Sequence, residues 1–255
     1  MTVEAPAKLN LTLRVLRKRE DGFHEIDSWM VRLPGLHDTL IFTEAEADAF
    51  TCDDPSVPSD DSNLVLKALG AYRAATGFAE PLAIHLEKRI PHGAGLGGGS
   101  SDAASTLAAL DQLHDQPIGT ERLMEIAATF GSDIPFFLGS PSARSTGRGE
   151  IIVAADAPPS LPVLLLKPSF GVATPDAYRN CMGAMELKGV RYESQVFPWG
   201  ELVNDLERPV FWKHLFLAEV KSWLLARPEV AGALMSGSGS TMFAILRDAA
   251  EAEAV

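Results

Sequence analysis

The apolar positions of this chain change their period several times, and each change marks an element. Over 5–17, Leu9, Leu11, Leu13 and Val15 alternate with other residues, a spacing that predicts a strand. A short alternation over 39–43 predicts another. Residues 53–62, DDPSVPSDDS, carry acid, proline and serine without an apolar period and read as a surface loop. Over 63–76 the period becomes helical, with Leu64, Ala68 and Tyr72 on one face and Gly77 as the stop. Leu82, Ile84 and Leu86 then alternate with His85 and Glu87, so a strand runs up to Pro91. One helix is expected over 101–113 and a second over 120–130. In the second, Thr120 is placed to cap, Leu123, Ile126, Ala127 and Phe130 form the apolar face, and Gly131 ends it. Further on, 163–166 reads as a strand, 210–226 as mostly helical and 241–246 as an apolar strand. Strands and helices mix without a regular βαβ period, which points to an α+β fold.

Length and composition narrow the class. The 255 residues suit one large domain or two smaller ones with an ample core. APPSLP at 157–162 is a candidate boundary, dividing the chain into domains 1–154 and 155–255. No apolar run approaches the roughly 20 residues of a membrane-spanning helix. MTVEAPAKLN lacks the basic region and apolar core of a signal peptide. Cys52 and Cys181 have no metal-ligand spacing and read as two reduced thiols, so the expected location is the cytoplasm. A net charge of -12 argues against nucleic-acid backbones as partners. It leaves room for a small phosphorylated ligand held by local positive charge.

Such a ligand has an evident seat. PHGAGLGGGSSDAA, at 91–104, lies between a strand and a helix. Backbone N–H groups at a helix start, with the helix dipole, attract anions, and glycines remove side chains that would hold a phosphate away. Ser100 and Ser101 could cap the helix, or offer hydroxyls to a phosphate or to Mg2+. A Walker A loop would need a lysine, and Gly98-Gly99-Ser100 has none. Gly93, Gly95 and Gly98 satisfy the GxGxxG of a nicotinamide-dependent dehydrogenase. The strand before them alternates, however, and no acidic strand end follows about 20 residues on. A nucleotide loop of another class fits better, with a plain turn as the bland alternative. Taken singly, Lys8 would be a solvated strand lysine, Asp133 a helix cap, and Arg14, Arg17, Lys18 and Arg19 an exposed hairpin end. Lys8 and Asn10 do lie two apart, on one strand face.

Three motifs in order change this picture: PAKLNLTL at 6–13, the glycine loop at 91–104, and SGSGSTMFAI at 236–245. With them the chain resembles the GHMP kinases, the superfamily of galactokinase, homoserine, mevalonate and phosphomevalonate kinases. DGFHEI at 21–26, NLVLKA at 63–68, GSDIPFF at 131–137 and GRGE at 147–150 are similar to the branch whose acceptor is a cytidine diphosphate-linked methylerythritol. The likeness spans nearly the whole chain. It implies a two-domain fold, with a ribosomal-protein-S5-like nucleotide domain first and a ferredoxin-like domain second. It implies ATP and Mg2+, and phosphorylation of the acceptor's 2-hydroxyl. Lys8 matches the family's catalytic lysine and Asp133 its catalytic aspartate. Asn63, Lys88, Pro91, Gly93, Ala94, Gly95, Leu96, Gly97, Gly98, Gly99, Ser100 and Ser101 fall on its nucleotide side. Asn10, Phe23, His24 and Tyr178 fall on its acceptor side, with an aromatic face at Phe23 able to stack a pyrimidine.

Departures from the family pattern bear on these roles. Phe23 stands where tyrosine is usual, and Asp102 where asparagine is common, so Asp102 would either face Mg2+ or point away. Arg144 and Arg148 occupy a stretch that is often small and apolar. Another small alcohol as acceptor, or a binding protein without catalysis, stay open as alternatives, as do the metal ligands and the oligomeric state.

Overall fold

The computed structural model describes residues 1–115, 117–249, 252 and 255. In chain order its first elements are β1 (Thr2–Lys18), β2 (His24–Glu44), β3 (Ala49–Cys52), α1 (Leu64–Thr76), β4 (Leu82–Glu87), α2 (Gly98–Leu113), α3 (Thr120–Ala128), α4 (Ile134–Leu138), β5 (Ser142–Gly147) and β6 (Ile151–Ala154). Then come β7 (Val163–Leu166), α5 (Thr174–Arg179), β8 (Gln195–Phe197), β9 (Gly200–Asn204), α6 (Glu207–Lys213), α7 (Leu215–Leu225), β10 (Val230–Met235) and β11 (Met242–Leu246).

β1 and β2 make a long antiparallel hairpin. On β1, Ala5, Ala7, Leu9, Leu11 and Leu13 are buried, and so are Lys8, Asn10 and Thr12 between them. The strand therefore faces a core on one side and an enclosed polar site on the other. The expected strand at 39–43 is only the far end of β2. The first half of β2 hides because Pro34 and Gly35 interrupt it and its buried residues cluster as Trp29 and Met30 rather than alternate. That first half pairs with β5 while the second half pairs with β4. The result is an eight-stranded sheet ordered β3-β4-β2-β1-β9-β8, with β5 and β6 attached through β2.

The helices follow their caps, with corrections. Asn63 Oδ1 accepts from the Val65 N–H at 2.8 Å, and Gly77 ends α1 in the left-handed region. α2 starts at Gly98, three residues before the expected point, with Gly97 at its cap and no side-chain capping bond. Ser100 and Ser101 thus sit inside the first turn and do not cap it. Glycine is a poor helix former, so its run concealed the true start. Gly119, not Thr120, precedes α3, and the helix ends at Ala128, with the Gly131 N–H returning to the Ala127 carbonyl at 3.1 Å. The stretch 210–226 is two helices, α6 and α7, which meet at His214, whose backbone leaves the helical region.

Three cores assemble these parts. α1 to α4 cover one face of the large sheet. α5 to α7 pack with a second sheet, ordered β10-β11-β7. The third core joins Ala7, Leu9 and Leu11 of β1 to Leu234 of β10 and to Phe243 and Ile245 of β11. It sets the turn between β10 and β11, residues 236–240, against the glycine loop. Mixed sheets with segregated helices confirm the α+β class. Among the described residues no helix is long and apolar enough to cross a membrane.

Candidate active site

A cleft of about 900 Å³ opens between β1, the glycine loop, the start of α4 and α5. Lys8 lies at its floor, 3% exposed. Its ammonium donates to the Gly95 carbonyl at 3.0 Å and to Asn10 Oδ1, and stands 4.0 Å from Asp133 Oδ2. Asn10 Nδ2 donates to Ser28 Oγ at 2.8 Å, and Ser28 Oγ donates to the Thr12 carbonyl at 2.6 Å. This chain fixes the amide's orientation, so its oxygen faces the lysine. Burial holds the Lys8 pKa below the ordinary lysine value, with the Asp133 charge partly offsetting it. Asp133 precedes α4 at the cap position, yet its side chain makes no capping bond. With 42% of that side chain exposed, the carboxylate is free to meet a ligand.

The glycine loop is shaped by what it must approach. At Gly95, φ is +75° and a Cβ would lie 2.1 Å from the Ser236 carbonyl oxygen. At Gly97, φ is +74° and a Cβ would come within 2.9 Å of Lys8 Cγ and of the Phe137 ring. No other residue fits either place. The Lys8 N–H donates to the Leu96 carbonyl at 2.9 Å, Ser236 Oγ to the Gly95 carbonyl at 3.0 Å, and the Thr241 N–H to the Ala94 carbonyl at 3.1 Å. The loop is thus stitched to the first and third motifs. The N–H groups that open α2 have no intrahelical partner, as at any helix start, and Gly98, Gly99 and Ser100 line the cleft. Ser101 is fully buried and its hydroxyl has no protein partner. Pro91, Gly93, Ala94 and Leu96 also line the cleft.

Two residues expected to meet the nucleotide are already engaged. Asn63 uses its amide to cap α1 and to donate to the Pro58 carbonyl at 2.6 Å. Lys88 forms ion pairs with Asp38 and, at 2.9 Å, with Asp102. Asp38 also accepts from the Ile90 N–H at 2.8 Å. The place of Asp102 is thereby settled: one carboxylate oxygen meets Lys88, and the other is buried without a partner. Burial pushes this carboxyl up to about 7, Lys88 pulling it down and Asp38 pushing it further up. Asp38 lay outside the sequence expectations. Its only signal was a charged residue opening an apolar alternation.

On the acceptor side, His24 and Tyr178 stack with ring centroids 5.5 Å apart. The exposed Phe23 ring carries the Arg148 guanidinium over it, 4.9 Å from its centroid. Burial pushes the Tyr178 hydroxyl well above its usual pKa, with Asp133 adding to the effect. Arg14, Arg17 and Arg19 end the β1–β2 hairpin in ion pairs with Glu201, Glu25 and Asp21, while Lys18 lines the cleft. Arg144 points elsewhere, pairing with Asp27 at 3.3 Å beside the Trp29 ring.

A buried lysine beside a free carboxylate, under a glycine loop at a helix start, is the equipment of a phosphoryl-transfer site. Comparison with known proteins agrees. The family of GHMP kinases N terminal domain matches residues 63–140, and that of GHMP kinases C terminal matches 198–255. The chain belongs to the GHMP kinases. A curated relative from Protochlamydia amoebophila (strain UWE25), a 4-diphosphocytidyl-2-C-methyl-D-erythritol kinase, is 41% identical over 241 residues, covering 94% of this chain and 83% of the relative. The protein of that name from Methylacidiphilum infernorum (isolate V4) is 42% identical over 251 residues, covering 94% and 84%. A crystal structure of 4-(cytidine 5'-diphospho)-2C-methyl-D-erythritol kinase superposes with a TM-score of 0.83 at 35% identity, covering 100% of this chain and 93% of the other. Homoserine kinase from Cytophaga hutchinsonii, at 16% identity and a TM-score of 0.66 over 99% of this chain and 87% of its own, shares the fold.

Proposed function

We propose that this chain transfers the γ-phosphate of ATP to the 2-hydroxyl of 4-diphosphocytidyl-2-C-methyl-D-erythritol. The observation that carries the reading is the juxtaposition of Lys8 and Asp133, 4.0 Å apart, between the glycine loop and the His24–Tyr178 pair. In this reading the polyphosphate lies along residues 91–101, against the free N–H groups of α2. The cytosine lies by Phe23, His24 and Tyr178, so one end of the cleft takes each substrate. Asp133 orients the acceptor hydroxyl and takes its proton. Lys8 offsets charge on the transferring phosphoryl group, and Asn10 holds Lys8 in place. Lys88 and Asn63 border the cleft but are held by protein partners, and they shape the loop rather than grip phosphate.

The donor set also suits Mg2+ delivered with the nucleotide. Among the described residues no group of three or more His, Cys, Asp or Glu could form a cage of its own. Mg2+ commonly binds through one or two protein oxygens plus substrate phosphates. The Ser101 hydroxyl at the start of α2, without a protein partner, and the Asp133 carboxylate at the start of α4 are such oxygens. The ion would neutralise phosphate charge when bound. We also propose the division into domains 1–154 and 155–255, since the two family matches fall on either side of it.

The test is ADP release by the purified chain over a panel of alcohols. Turnover with the cytidine-bearing acceptor, and little with homoserine, mevalonate or plain methylerythritol, is expected. Faster turnover of homoserine or mevalonate would replace the acceptor assignment, and ADP release from none would replace the kinase assignment.

A further inference from the structure

One group outside the cleft reaches both ends of the turn that presses on Lys8. Asn204, the last residue of β9, is 2% exposed. Its amide nitrogen spends one hydrogen on the Met235 carbonyl at 2.7 Å and the other on the Gly237 carbonyl at 2.8 Å. Its amide oxygen accepts from the Leu206 N–H at 2.9 Å, a local turn that fixes the side chain's direction. Every polar atom of the amide is therefore committed, and two of the three bonds clasp the carbonyls on either side of Ser236.

What the clasped turn touches gives the bonds their meaning. Gly237 is at φ +55°, and a Cβ there would lie 3.1 Å from Lys8 Nζ, 3.1 Å from the Gly95 carbonyl oxygen and 3.2 Å from Asn10 Oδ1. The backbone of Gly237 thus closes one wall around the lysine's ammonium. Ser236, between the two clasped carbonyls, donates to the Gly95 carbonyl, which also accepts from Lys8. The segment is anchored on the other side as well. The Asp205 N–H donates to the Leu13 carbonyl at 2.9 Å, and Asp205 Oδ2 accepts from the Val15 N–H at 2.9 Å, so Asn204 is tied to the strand that carries Lys8.

We infer that Asn204 is a positioning residue for phosphoryl transfer: it holds the 236–240 turn at the distance that keeps Lys8 dry and fixed against the glycine loop. The inference rests on the proposed kinase reading for its effect on rate, but the geometry of the clasp does not. If the clasp opens, water reaches Lys8 past Gly237. Asp133 is the charged group that faces Lys8; Asn10 on β1, Ser28 on β2 and the turn itself offer only neutral groups. Hydration then moves the Lys8 titration up, toward that of an ordinary lysine, because burial is the main reason it lies low.

Asn204→Ser separates this role from a local one. A serine hydroxyl can keep the turn to the Leu206 N–H but is too short to hold both carbonyls. We expect a melting temperature lower by about 2–4 °C and kcat lower by about tenfold to a hundredfold. The alkaline limb of the kcat–pH profile should shift to higher pH. In a double-mutant cycle, Ser236→Ala should lower kcat less in the Asn204→Ser background than alone, since both act through one turn. Lys8 titration followed by NMR of 13C-labelled lysine requires no turnover and should shift up in Asn204→Ser. An unchanged Lys8 titration, or additive effects of the two substitutions, overturns the inference. A wild-type chain that phosphorylates no alcohol overturns the kinase reading instead, and the NMR titration then still decides on Asn204.

Discussion

Two lysines border the same cleft, and their surroundings could hardly differ more. Lys88 stands between two buried carboxyl groups, Asp38 and Asp102, so its charge is met by protein partners before any ligand arrives. Lys8 has an amide oxygen, a carbonyl and one half-exposed carboxylate 4.0 Å away. Burial disfavours both charges, but only Lys88 has the partners to hold its pKa above the ordinary lysine value; that of Lys8 lies below it. Partially compensated charge in a low-dielectric site acts strongly on whatever charge comes next. A lysine neutralised by two acids serves as a strut for the backbone around it. Here the strut ties the chain just after β4 to β2 through Asp38 and to α2 through Asp102, and these elements flank the glycine loop.

The comparison breaks first at the chemical step. Asp133→Asn should lower kcat by about 10²–10⁴-fold, the range for losing a group that handles the transferred proton. Lys8→Met should lower kcat by about 10²–10³-fold, comparable to removing one oriented donor from a charged transition state. Steady-state kinetics at saturating ATP and acceptor measure both, and a Lys8→Met enzyme with near wild-type kcat would contradict its part in the contrast. Lys88→Met should act elsewhere. It leaves Asp38 and Asp102 facing each other in the interior, and breaking a buried pair costs about 3–5 kcal/mol. Urea unfolding should reveal that loss, while kcat of the remaining folded enzyme changes far less than in Lys8→Met. A variant as stable as wild type would show that Lys88 is no strut.

The unequal legibility of the two lysines in the sequence has the same physical root. Lys8 and Asn10 lie two residues apart on one strand, so their shared face follows from the β period alone. Asp133 lies 125 residues from Lys8, and nothing local announces it; the ordered motifs of the family placed it in the site. Lys88 belonged to the nucleotide by the same likeness. Its partners Asp38 and Asp102 sit 50 residues before it and 14 after it, a meeting made by β2, β4 and α2 packing together. The first half of β2 was hidden for a similar reason. Its face is chosen by β1 and β5, not by its own pattern. The start of α2 was hidden by glycines selected for close approach, which outweighs helix propensity there. Asn204 gave no signal, because its partners are the Met235 and Gly237 carbonyls, more than 30 residues away in the chain.

The finest test of the strut concerns Asp102. Its carboxyl is raised to about 7 in the folded chain from an ordinary value of 3.8. Between those values the folded state holds a proton that the unfolded state has released. Stability from this group is therefore full below about pH 4, falls as pH rises toward 7, and stays at its lower level above. Asp102→Asn removes the titrating group while keeping its shape and an oxygen for Lys88, and Lys88 retains Asp38. The variant's stability relative to wild type should then rise between pH 5.5 and 7 by about 1–2 kcal/mol and level off beyond. Urea midpoints at pH 5.5, 7 and 8.5 measure it. Parallel stability curves for the two proteins would mean that Asp102 is ionised throughout. Lys88 would then be fully committed to two charged carboxylates, and the separation between a working lysine and a bracing one would be wider still.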